Sequence, residues 1–212
     1  MNLEGMRRHY AIRALDRVDL SPDPFIQFDS WMREAVETQL LEPNAMSLAT
    51  VAPGGAPSLR TVLLKGFDAR GLVFYTNYAS QKARDLAANS SVALLFSWLP
   101  LERQVSVTGR AEKISAAESM KYFFSRPRES QIGAWASRQS EVITTRSLLE
   151  AKFAEVKAKF LSGAVPLPGF WGGYRVTPHT FEFWQGRTNR LHDRFRYTRQ
   201  ADGAWKIERL MP

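Results

Sequence analysis

Apolar positions recur along this chain at two different periods, and the changes of period mark its elements. Phe25, Phe28, Trp31, Met32, Ala35 and Leu40 follow a helical spacing that places them on one stripe. Asp23 can cap that helix with Pro24 at its first position, a favourable start, and Pro43 ends it. The pattern then shortens. Residues 46–52 and 57–67 read as strands flanking Pro53-Gly54-Gly55-Ala56, a hairpin signal. Asp68-Ala69-Arg70-Gly71 is a second turn, leading into a strand over 72–77. Ser80 opens a short helix over 81–88, and 92–98 and 103–114 are further strands, the latter carrying Val105, Val107 and Thr108.

Helical spacing returns over 116–124, 126–137 and 145–161, the last with Leu148, Leu149, Phe153, Val156 and Phe160 as its inner face. Val165-Pro166-Leu167-Pro168-Gly169 is a rigid connector. Strands over 171–177, 179–185, 191–199 and 205–210 complete the pattern, the last two joined at Asp202-Gly203. Short antiparallel strands with tight turns favour a closed or nearly closed barrel, which leaves no exposed edge. The expected fold class is mainly β with helices (α+β), a β-barrel with helices packed around it. Residues 1–22 read as an N-terminal arm and 23–212 as a single domain.

Composition narrows the chemistry. No window of eighteen apolar residues occurs, so no membrane-spanning helix is expected. The first twenty residues are charged throughout and lack the apolar core of a signal peptide, so a cytoplasmic location is expected. With no cysteine, disulfides, thiolate metal sites and a cysteine nucleophile are excluded. His9, His179 and His192 lack ligand spacing, so no metal is expected. A G-x-S-x-G elbow, a G-x-G-x-x-G loop and a Walker loop are all absent. The net charge of +8 comes from scattered arginines and lysines with no run of five like charges. That distribution fits phosphorylated small molecules better than nucleic acid. A non-Rossmann phosphate or flavin binder remains.

Three places carry candidate chemistry. Arg190, His192 and Arg194 alternate with Leu191 and Asp193, so in an extended segment they share one face. Such a row is either a solvated edge strand or, given Phe181, Phe183 and Trp184 nearby, the wall of a pocket for an anionic or electron-rich ligand. Arg60 and Lys65 put cations on opposite faces of one strand. Tyr75, Thr76, Ser80, Gln81 and Lys82 bracket a strand-to-helix junction, where an anion would offset the unfavourable first-turn lysine. Tyr122, Arg126 and Ser130 fall at i, i+4 and i+8, although Pro127 forbids one uninterrupted helix through them.

The run WQGRTNRLHDR at 184–194 and the ending WKIERLMP closely resemble the pyridoxine/pyridoxamine 5'-phosphate oxidases, FMN-binding split-barrel flavoproteins. So do RTVLLKGFD at 60–68, VFYTNYASQKARDL at 73–86, LERQVSVTGRAEKIS at 101–115, MKYFFSRPRESQIGAWASRQS at 120–140 and VPLPGFWGGYRV at 165–176, in family order. The resemblance implies oxidation of phosphorylated B6 vitamers to pyridoxal 5'-phosphate by O2, with H2O2 released, in a homodimer whose site lies between subunits. It assigns FMN to Arg60, Thr61, Val62 and Leu63, to Tyr75, Thr76, Gln81 and Lys82, and to Gln104, Gln139, Ser140, Trp184 and Arg194. It assigns the substrate phosphate to Lys65, Tyr122, Arg126 and Ser130. Arg190 and His192 form the implied catalytic face with Leu191 beside them, and Arg7 and Tyr10 an N-terminal lid. Family members commonly carry arginine where this chain has Gln81, which removes one charge from the implied cradle. The alternatives are a related flavin oxidase acting on another aromatic, such as a phenazine precursor, or a non-catalytic FMN-binding protein.

Overall fold

A computed structural model describes residues 5, 10 and 12–212. The first helical stripe forms α1 (Pro24–Glu37), and Asp23 Oδ1 accepts the Phe25 N–H at 2.8 Å. Phe28, Trp31 and Ala35 are buried, as the stripe requires. The β-rich block follows as β1 (Ala45–Val51), β2 (Pro57–Leu63), β3 (Gly66–Asp68), β4 (Gly71–Asn77), β5 (Ser91–Trp98) and β6 (Arg103–Lys113), with α2 (Gln81–Ala88) between β4 and β5. The run 57–67, expected as one strand, is two. The Leu64 N–H donates to Asn44 O and the next amide, Lys65, donates to Val73 O, each at 2.8 Å. The chain leaves its pairing with β1 there and joins β4.

Three helices come next: α3 (Ala116–Ser125), α4 (Arg128–Ala136) and α5 (Arg146–Lys159). Arg126 ends α3 in an extended conformation, ψ 148°, because Pro127 disfavours helical dihedrals in the residue before it. On α5, Phe153 and Val156, with Phe160 just beyond, pack on a cluster built from Phe123, Ile132, Val165 and Trp171. Leu148 and Leu149, expected on the same inner face, are exposed.

The C-terminal strands are β7 (Trp171–Gln185), β8 (Asp193–Arg199) and β9 (Trp205–Arg209). The break expected at Pro178 is instead a register shift within one fifteen-residue strand: Gly109 faces Pro178 and Thr108 faces Thr180. Proline is tolerated at such an irregularity, where one ladder hydrogen bond is already lost.

The strands form one antiparallel sheet in the order β2-β1-β5-β6-β7-β4-β3, with β8 pairing with β7 and β9 with β8. The path begins at β2 and ends at β3, which are consecutive in the chain, so the sheet curls round on itself as a split barrel. Phe28, Phe74, Phe96, Phe181, Phe183 and Tyr197 fill the main core. Among the described residues, no helix is long and apolar enough to cross a membrane.

Candidate functional site

A cleft of about 460 Å³ opens where β2, β4 and the N-terminal turn of α2 meet α3, α4 and the start of β7. Eleven of the residues singled out from the sequence line it. Thr61, Val62 and Leu63 come from β2, Tyr75 and Thr76 from β4, and Lys82 from α2; Lys65, Tyr122, Arg126, Ser130 and Gln139 complete the set. Ending α3 at Arg126 and restarting the helix at Arg128 turns Tyr122, Arg126 and Ser130 into one space despite Pro127.

The cleft is cationic and short of counter-charge. Among the described residues, buried Lys82 donates from Nζ only to neutral groups, Thr76 Oγ1 at 3.2 Å and Gln139 Oε1 at 3.0 Å. Burial, followed by repulsion from Arg60, pulls its pKa down to about 8. Arg126 Nη1 is buried with no hydrogen-bond partner among the described residues. Its guanidinium lies over the Trp171 ring at 4.8 Å and over Phe123 at 5.8 Å. Burial lowers the Arg126 pKa, yet an arginine remains charged. No ion pair among the described residues involves Lys65, Lys82 or Arg126; the sixteen pairs present use other cations. Cations buried without carboxylates are costly unless an anion joins them.

Arg60, Gln81 and Ser140 stand behind this cleft rather than in its wall. Arg60 donates to Leu48 O at 3.2 Å and to Thr50 Oγ1 and Ser58 Oγ, each at 2.6 Å. Both hydroxyls in turn donate to the fully buried Asp85 carboxylate, at 2.7 and 3.0 Å. Gln81, expected in the cradle, donates from Nε2 to Asp85 Oδ1 at 2.8 Å, while its backbone N–H donates to Ser140 Oγ at 3.2 Å.

A second cleft, of about 260 Å³, shares no lining residue with the first. Gln104 on β6 pairs with Trp184 on β7, and Trp184 pairs with Arg194 on β8, so three residues distant in sequence form one row across the sheet. Arg194 donates from Nε to Glu182 Oε1 at 2.8 Å and from Nη1 to Met211 O at 2.8 Å.

The segment before Arg194 corrects the sequence reading. Thr188–Arg190 is a 3-10 turn and β8 begins only at Asp193, so Arg190, His192 and Arg194 do not share a strand face. Asn189 and Arg190 have φ of 56° and 62°, left-handed values that no strand accommodates. The turn leaves Arg190 and Leu191 exposed and brings His192 back against Trp184, with ring centroids 4.6 Å apart. Tyr10 packs edge-on against both, at 5.9 Å from Trp184 and 5.8 Å from His192. His192 Nδ1 accepts the Arg187 N–H at 3.1 Å, which leaves the proton of a neutral ring on Nε2. Burial, then Arg190, lowers the His192 pKa, and Asp193 opposes them. Arg7 lies outside the described residues.

Sequence reasoning missed several wall residues, among them Asn77, Gly133, Ala134, Ser137 and Trp171. Trp171 had a signal: two glycines follow it inside a strand, a mark of close packing. A Cβ on Gly172 would stand 2.1 Å from the Tyr78 hydroxyl, and one on Gly173 2.9 Å from Tyr75 Cε1.

Residues 32–160 match the family model described as pyridoxamine 5'-phosphate oxidase, and residues 171–212 match that of a pyridoxine 5'-phosphate oxidase C-terminal dimerisation region. The chain belongs to the pyridoxamine 5'-phosphate oxidase family. It is 61% identical to a pyridoxine/pyridoxamine 5'-phosphate oxidase of Rippkaea orientalis, covering 100% of each chain. Among solved structures it is similar to PhzG from Burkholderia lata 383 in complex with tetrahydrophenazine-1-carboxylic acid, at 32% identity and a TM-score of 0.89, covering 95% of this chain and 99% of that one. A pyridoxamine 5'-phosphate oxidase-related, FMN binding protein from Nostoc punctiforme shares the fold, with a TM-score of 0.73 at 17% identity, covering 91% of this chain and 100% of that one. The matched dimerisation region contains the whole row end of the second cleft, Trp184 and Arg194, together with His192.

Proposed function

We propose that this chain is an FMN-dependent oxidase of pyridoxine 5'-phosphate or pyridoxamine 5'-phosphate, forming pyridoxal 5'-phosphate in a homodimer whose site joins the first cleft of one copy to the second cleft of the other. One observation carries the reading: half-buried Arg126, whose buried Nη1 has no hydrogen-bond partner among the described residues, stands in the same cleft as buried Lys82, whose described partners are all neutral. Two cations without counter-charge suit two phosphoryl groups, one on the cofactor and one on the substrate. The donor set fits FMN. Lys82, Thr76 and Gln139, beside the β2 segment Thr61–Leu63, would hold it, with Gln104, Trp184 and Arg194 supplied by the second copy.

When bound, FMN supplies the two-electron redox chemistry, with O2 as terminal acceptor and H2O2 as product. Arg126, Lys65, Tyr122 and Ser130 bind the substrate phosphate and fix the pyridine ring relative to the rest of the cleft. Such positioning converts binding energy into orientation. His192 offers the Nε2 proton to a ring substituent, and its lowered pKa keeps the imidazole neutral near pH 7. Arg190, exposed on the turn between β7 and β8, orients the substrate. The four-residue phosphate cluster favours a phosphorylated substrate over the phenazine-type acid, which has no phosphate to place there.

The test is direct: flavin-loaded protein is given pyridoxine 5'-phosphate or pyridoxine, and peroxide is measured. Far faster release with the phosphate ester than with pyridoxine is expected. Equal turnover of both, or of neither, overturns the reading.

A further inference from the structure

We propose that Trp171 is a positioning residue for Arg126: its indole face holds the guanidinium in the cleft while leaving the guanidinium's donors free for a phosphate monoester. The inference rests on the phosphate reading of this cleft.

Among the described residues two arginines lie over an indole, buried Arg103 and half-buried Arg126, and they differ in how their donors are used. Arg103 sits 4.3 Å above Trp31, and its donors are already used, Nε on Gln185 Oε1 at 2.8 Å and Nη1 on Glu34 Oε2 at 2.6 Å. Arg126 sits 4.8 Å above Trp171, and its buried Nη1 has no partner among the described residues. A carboxylate would also fix a guanidinium, but it would consume the N–H groups and cancel the charge that a phosphate needs. An aromatic face attracts the cation through its quadrupole and takes no donor.

The ring itself is held. Trp171 is the third member of a column of parallel rings, 11° and 5.3 Å from Tyr75, which stacks on Tyr122 at 3.9 Å. Gly172 and Gly173 let Tyr78 and Tyr75 press against the strand that carries the indole. Trp171 is buried, lines the cleft and belongs to the smaller apolar cluster rather than to the main core. A guanidinium resting on such a face is pre-organised, and less order has to be created when phosphate arrives.

The experiment uses the flavin-loaded protein and two readouts: the dissociation constant for pyridoxal 5'-phosphate by absorbance titration, and KM against kcat for pyridoxine 5'-phosphate. Trp171→Leu is expected to raise both the dissociation constant and KM about tenfold, with kcat within about twofold. Trp171→Phe, which keeps a weaker aromatic face, should lose about threefold. In the Arg126→Ala background neither change should cost anything more, since a residue acting through Arg126 has nothing left to act on. If Trp171→Leu does not fold, Trp171→Phe carries the test alone: its partial loss must vanish in the Arg126→Ala background. Losses that add in that background, or wild-type binding by the Trp171 variants, overturn the proposal. A distinct result, Arg126→Ala binding pyridoxal 5'-phosphate as wild type does, would remove the phosphate reading itself.

Discussion

Lys82 carries the clearest pH signature of any single residue here. Its folded pKa, about 8, lies below the usual 10.5, so folding favours the neutral amine. The cost of burying the charge is therefore fully present below about pH 8 and is relieved as pH rises towards about 10.5. Anion affinity runs the opposite way, because phosphate needs the ammonium. Fluorescence titration of the apoprotein with FMN should show binding that weakens above about pH 8, whereas Lys82→Met should bind weakly and without that slope. An identical slope in the variant would reassign the effect to another group. Lys65 makes a second test. It is exposed and lines the cleft, so Lys65→Ala should raise KM for pyridoxine 5'-phosphate by about tenfold, the low end for a charged hydrogen bond, and leave unphosphorylated pyridoxine unaffected. Equal losses on both compounds would make the lysine structural.

Among the elements, the turn between β7 and β8 holds Arg190 at φ 62°. A non-glycine residue there costs about 1 kcal/mol or more, and glycine does not pay it. Arg190→Gly should thus melt at or slightly above the wild-type temperature while its turnover falls. A clear drop in melting temperature would mean that the side chain supports the turn. This turn also marks where the sequence stopped being legible. The alternation of Arg190, Leu191, His192, Asp193 and Arg194 reads as period two, but alternation records only side-chain order and not the sign of φ. Asn189, a residue that tolerates the left-handed region, was the local hint. Most elements were readable because their signals were local, as with Asp23-Pro24 for α1 or Ser80 for α2. The first cleft was readable because the resemblance named residues whose convergence no spacing could give. The turning of Arg60 towards Asp85 was not readable, since it depends on Thr50 and Ser58 meeting across β1 and β2, whereas Gln81 and Asp85 stand at i and i+4 on α2.

On the scale of the whole molecule, the two clefts of one chain share no residue, which makes the proposed shared site testable by complementation. Lys82→Ala damages the first cleft and Arg194→Met the second. In a mixed dimer both lesions fall on one of the two sites, and the other site is intact. Random pairing then yields mixed dimers in about half the population, so about a quarter of wild-type flavin should return on co-expression. Two variants that stay flavin-free together would place each site within a single chain.

The length of β7 bears on how the protein is made. Trp171–Gln185 pairs with β4, β6 and β8 along its span, and its two ends wall the two clefts, Trp171 the first and Trp184 the second. A nascent chain that has not yet emerged past residue 171 therefore carries open edges on β4 and β6, and unpaired edges recruit other chains. Ribosomes that stall early would release adhesive fragments rather than partial enzymes. Both edges are covered, and both clefts walled, only once the C-terminal strands have left the exit tunnel.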